Sequence, residues 1–167
     1  MENYIVINGK KAELTEEQLV ALGIEIKKND PFELNECDYY YIDSVGNVAH
    51  DFYCDGCKVT ERRHDIANYC ADKDLMQQRA LHENLNRLLW RYSMQHDGDK
   101  INYECDFNAK WYVYYNTNLN QWSIGSIYHS IYFDIYFYTE KIARNAIEEI
   151  IKPFIKEHPD FYLFKNI

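Results

Sequence analysis

The sequence predicts an α+β fold, mainly antiparallel, in which one strand-rich pattern occurs twice. Two observations carry this. The aromatic hairpin signals Tyr39-Tyr40-Tyr41-Ile42 with Gly46-Asn47-Val48, and Trp111-Tyr112-Val113-Tyr114-Tyr115 with Trp122-Ser123-Ile124, are each followed by a helical pattern. The length of 167 residues suits one domain, which buries roughly 70% of its unfolded surface. The expected division is a small N-terminal element over residues 1–30 and a single domain over 31–167, made of related units at about 36–97 and 105–155. Such units in one composite sheet-and-helix domain suit a binding surface without an active site.

Each element has a local reason. Tyr4 to Ile7 reads as a strand, Asn8-Gly9 as a two-residue turn and Lys10 to Leu14 as the returning strand. Thr15 and Gln18 have capping-box spacing before Leu19 and Leu22, and Gly23 is the stop. Lys27 to Pro31 is a polar breaker that reads as a linker. In the first unit a hairpin turns at Ser44 to Asn47, Asp55-Gly56 marks a second tight turn, and the stretch to His64 reads as irregular. From Asp72 the period changes: Leu75, Met76, Ala80, Leu81, Leu85, Leu88, Leu89 and Tyr92 recur at helical spacing to about Gln95. This is the long central helix. In the second unit Asn116 to Asn120 is the turn of an aromatic hairpin, and Ile127-Tyr128, Ile131 to Phe133 and Ile135 to Phe137 extend the sheet. Thr139 caps a C-terminal helix that Pro153 is expected to stop, with the aromatic tail from Phe161 packed on the domain.

Composition narrows the function. With 47% hydrophobic residues and 27% charged, the chain is expected to fold without a partner. No secretory pattern opens it and no apolar run is long enough to span a bilayer, so a cytoplasmic protein without membrane attachment is expected. The net charge of −9 disfavours direct binding of nucleic acid, which draws its affinity from Lys and Arg displacing counterions. The same charge suits a basic protein groove, with carboxylates standing where phosphates would stand. Asp97, Asp99, Glu148 and Glu149 are the candidate acids. Sixteen tyrosines are the other binding resource, since Tyr combines contact area and a hydroxyl with little rotamer entropy, and Tyr114 and Tyr128 are the candidates on the accessible side of their strands.

Five cysteines without an export signal point to thiols rather than a disulfide framework. Cys54-Asp55-Gly56-Cys57 offers half of a tetrahedral Zn²⁺ site, with Cys37, His50, His64 and Cys70 as available further ligands. A redox role is disfavoured on the ground that a thioredoxin-like motif lies between a strand and the start of a helix, whereas these cysteines read as flanking a turn in irregular sequence. His82-Glu83 lacks the second imidazole of a metalloprotease helix, because Asn86 stands at that position. The six glycines are scattered, so no phosphate-binding loop is formed. No catalytic constellation is present, and a non-enzymatic protein is expected.

Three stretches taken together carry a likeness: Ile7-Asn8-Gly9-Lys10 with Leu14 to Leu19; Asn68-Tyr69-Cys70 with Gln78 to Glu83 and Leu85 to Arg91; and Ala146 to Ile150 with Pro153-Phe154 and Glu157 to Phe161. The chain resembles a group of small proteins of phages and prophages in Gram-positive bacteria. The resemblance implies a viral setting, action by binding, and a host nucleic-acid enzyme as target, such as a CRISPR effector nuclease. It supplies no catalytic residues, and Cys54 and Cys57 lie outside its shared pattern. The rival expectation is a zinc-supported structural or scaffold module in phage assembly or replication.

Overall fold

The computed structural model describes residues 4–7, 10–13, 15, 18, 21–22, 30–33, 38–103, 108–128 and 135–161. Strands β1 (Tyr4–Ile7) and β2 (Lys10–Glu13) pair antiparallel, with Tyr4 opposite Glu13 and Ile7 opposite Lys10. The Asn8-Gly9 turn, Gly23, the strand expected at Ile131 to Phe133 and the tail beyond Phe161 lie outside the described residues. The capping box closes in both directions: the Thr15 amide donates to Gln18 Oε1 at 2.9 Å, and the Gln18 amide donates to Thr15 Oγ1 at 3.3 Å.

The first unit begins with β3 (Asp38–Ile42) and β4 (Val48–Phe52), and the second with β5 (Lys110–Asn116) and β6 (Gln121–Ile127). Both pairs are antiparallel hairpins. The single composite sheet expected from the aromatic runs is replaced, among the described residues, by separate two-stranded sheets. In place of a third strand, each hairpin gains a one-residue bridge. Tyr40 and Cys70 exchange both backbone hydrogen bonds, at 2.7 and 3.0 Å, and Trp111 and Phe137 do the same at 3.2 and 2.6 Å. In each unit the helix cap stands two residues beyond the bridge. Asp72 accepts from the Leu75 amide to open α2 (Lys73–Gln95), and Thr139 accepts from the Ile142 amide to open α3 (Glu140–Ala146). Here α1 is Lys58–Asp65, in the stretch expected to be irregular. It carries no apolar stripe to reveal it: only Thr60 is buried, while Val59 and Ile66 face solvent.

Pro153 does not stop the last helix. The chain widens into a π-helical turn at Ile147–Ile151 and continues as α4 (Lys152–Glu157) with the proline in its first turn. A proline inside a regular α-helix lacks one donor and clashes with the carbonyl four residues back, and the widened turn relieves both.

The long helix α2 serves both units. Its first half buries Met76 and Ala80 with Ile42 and Cys70, and its second half buries Leu85, Leu89 and Tyr92 with Phe137, Ile147, Ile151 and Phe154. Leu75, expected on the stripe, is exposed. At its end Gly98 packs so closely on Ser93 that a Cβ there would stand 2.7 Å from the Ser93 carbonyl oxygen. Among the described residues no helix is long and apolar enough to cross a membrane.

Candidate functional site

Alternation along β5 sorts its side chains. Trp111 and Val113, with Trp122 and Ile124 of β6, face the main core, so Tyr112 and Tyr114 point the other way, opposite Gly125 and Ser123. The small residues on β6 leave room for the rings. A Cβ on Gly125 would lie 2.6 Å from Tyr112 Cζ, so the Tyr112 ring rests directly across the glycine. From there a row of rings follows. Tyr114 lies 5.9 Å from Tyr112, Tyr112 meets Tyr136 edge-on at 6.4 Å, and Tyr136 meets Tyr103 edge-on at 6.2 Å. Tyr136 is buried and its carbonyl accepts from Ser93 Oγ at 2.5 Å, which ties the row to α2. The ends are open to solvent, with Tyr103 48% and Tyr114 39% exposed.

Tyr128, 45% exposed, follows β6, and its carbonyl accepts from the buried Lys110 ammonium at 3.1 Å. Asp97 and Asp99 flank Gly98 a few residues before Tyr103, both exposed. Lys100 pairs with Asp97 at 2.6 Å, which, with Asp99 nearby, pushes its pKa up. Glu148 and Glu149 lie exposed on the π-helical turn, each with a partner: Lys152 pairs with Glu148 at 2.7 Å, and Tyr92 donates to Glu149 at 3.1 Å. Burial, with that carboxylate beside it, pushes the Tyr92 hydroxyl up.

The six residues considered for zinc are spread over the first unit. His50 pairs with Asp38 at 3.1 Å on the exposed edge of β4. His64 meets the edge of Tyr69 at 5.9 Å. Cys70 is buried, its sulfur accepting from the Asp72 amide at 3.4 Å, and burial raises its thiol. Cys54 is exposed and Cys57 half-buried, while Cys37 lies outside the described residues. Among the described residues no group of three or more His, Cys, Asp and Glu side chains stands where it could hold a metal ion.

A cluster that the sequence does not announce joins α1 to the first hairpin. Arg63 Nη1 donates to the Tyr39 hydroxyl at 2.6 Å and to Asp51 Oδ2 at 2.7 Å, while the guanidinium stacks 3.5 Å above the Tyr41 ring. The Tyr39 hydroxyl also reaches Thr60 Oγ1 at 3.3 Å, and its ring stacks on Tyr69 at 4.6 Å. The Arg63 bond, helped by the Phe52 amide, holds the Asp51 carboxyl below its usual range. The contacting pairs lie 12 to 30 positions apart, so no local pattern links them.

No protein-family model matches the chain, and no curated protein or solved structure is significantly similar to it. The likeness to the phage and prophage group therefore rests on the quoted motifs alone.

Proposed function

We propose that this chain is a non-enzymatic binding protein of phage or prophage that inhibits a host nucleic-acid enzyme, such as a CRISPR effector nuclease. It docks through the tyrosine row of the second unit, with the exposed Asp97 and Asp99 a few residues before Tyr103, onto the enzyme's basic surface. The observation that carries the reading is the row itself: rings on the β5–β6 hairpin and on the flanking segments at Tyr103 and Tyr136, open at Tyr103 and Tyr114, present area and hydroxyls with little entropy left to lose. The two acids steer the encounter through long-range attraction. Glu148 and Glu149, also exposed, stand on the π-helical turn, where Lys152 and Tyr92 bond them, and remain candidates for a second acidic contact.

The test is binding and inhibition with a purified candidate nuclease. Tyr114→Ala and Tyr103→Ala should each weaken the complex about tenfold or more, whereas Asp97→Lys with Asp99→Lys should mainly lower the association rate and flatten its salt dependence. The chain alone should retain no DNA or RNA at physiological salt. Full inhibition by a double Tyr103/Tyr114 alanine variant would reject the surface.

A further inference from the structure

The Cys54-Asp55-Gly56-Cys57 segment joins the end of β4 to the start of α1, between a strand and a helix, which removes the ground for setting redox chemistry aside. It is a β-turn. The Cys57 amide donates to the Cys54 carbonyl at 3.0 Å, and Gly56, at φ +72°, occupies the left-handed position. Such a turn holds its first and last Cα atoms within about 7 Å, and disulfides span Cα separations of about 4.4 to 6.8 Å. The turn thus brings the two cysteines into the range of Cα separations that a disulfide spans.

The two sulfurs are not equivalent. Cys54 is exposed, and its thiol makes only a long contact of 3.8 Å to the Asp55 carbonyl. Cys57 is the N-cap of α1. Its sulfur makes no regular capping bond, yet the Thr60 amide, the Thr60 hydroxyl and the Val59 amide face it and hold the thiol below its ordinary range. Thr60 is buried and pinned by Tyr39, so this environment is built into the fold. Asp51 acts in the opposite sense, but its charge is met by Arg63 at 2.7 Å.

We propose that Cys54 and Cys57 form a thiol–disulfide exchange site for low-molecular-weight disulfides, with Cys57 attacking and Cys54 resolving. The Cys57 thiolate attacks one sulfur of the small disulfide, forming a mixed disulfide and releasing one small thiolate. Cys54, its proton lost to solvent, then attacks Cys57 Sγ, forming the Cys54–Cys57 bond and expelling the second small thiolate. Both leaving thiolates take up protons. The two cysteine thiols are oxidised and one small disulfide is reduced to two thiols.

The test is incubation of the reduced full chain with oxidised glutathione, acid quenching, alkylation of the remaining thiols after denaturation, and peptide mapping. Cys54 and Cys57 should be found as one intramolecular disulfide while Cys70 is alkylated. Cys54→Ser should accumulate a glutathione adduct on Cys57, and Cys57→Ser should slow the first adduct about tenfold. Should either variant misfold, limited iodoacetamide labelling of the parent chain should show the same order, Cys57 ahead of Cys54. Equal reactivity of the two cysteines, adducts on both without ring closure, or a tightly held Zn²⁺ that blocks alkylation would each overturn the proposal.

Discussion

In the second unit the residue that bridges back to the first strand is Phe137, fully enclosed by the side chains of α2, α3 and the π-helical turn. In the first unit the matching residue is Cys70, in a cluster with only Ile42, Met76 and Ala80 as its other buried members. The backbone scheme is shared: hairpin, reciprocal bridge, cap two residues on, helix. The material that fills it is not. The second unit is held by apolar burial, while the first leans on Asn68, whose amide both donates to and accepts from the Ile42 backbone at 2.8 Å, and on the Arg63, Asp51, Tyr39 and Thr60 cluster. The repeat thus resides in hydrogen-bond geometry, and each copy uses its own means of stabilisation.

Substitutions at matched positions should separate the two units most clearly. Phe137→Ala should cost about 3 to 5 kcal/mol in chemical denaturation, whereas Cys70→Ala, which removes one small sulfur, should cost about 1 kcal/mol. Equal losses would show that the small cluster matters as much as the large one. Along α2 itself, Leu89→Ala should cost about 3 kcal/mol and Met76→Ala about 2, because the smaller cluster leaves more room to relax.

The polar cluster of the first unit also makes its stability depend on pH. The folded Asp51 carboxyl sits below its ordinary range, so its ion pair contributes fully above the unfolded value of about 3.9 and is lost as pH falls through the lower folded value. Removing the pair with Asp51→Asn should therefore lessen the fall in thermal midpoint below about pH 4, with little change near neutrality because the pair is partly exposed. The smallest stability effect is expected for Gly125→Ala: its methyl displaces only the far end of the Tyr112 side chain, yet tilts the tyrosine row. A stability loss within about 1 kcal/mol, with weakened partner binding, is the expected result.

The long helix and its start near Asp72, the Thr139 cap and the hairpins were legible because period, cap and turn are local signals. The α+β class followed from them. Other features depended on distance in the chain. Helix α1 stays hidden because it buries Thr60 instead of an apolar stripe, and its presence changes the setting of Cys54 and Cys57. Pro153 reads as a stop until the π-helical turn accommodates it. For the candidate surface, alternation separates Tyr112 and Tyr114 from Trp111 and Val113, but only packing on α3 decides which set faces out. The bond between Tyr92 and Glu149 joins residues 57 positions apart, which charge counting cannot place, whereas Glu148 and Lys152 stand one helical turn apart.

The sharing of α2 also bears on how the protein opens. A helix of 23 residues is about 34 Å long, and its two halves are walls of different clusters. Loss of either cluster strips one half of its cover, so the units are poorly placed to unfold as independent foldons. Amide hydrogens at the middle of the helix, around Leu81 to Leu85, should exchange only through global opening, while those near Lys73 should exchange through local fraying of the sparse end. Excising 36–97 would leave Leu85, Leu89 and Tyr92 facing water, giving a sticky fragment where a repeat boundary would suggest a free-standing module.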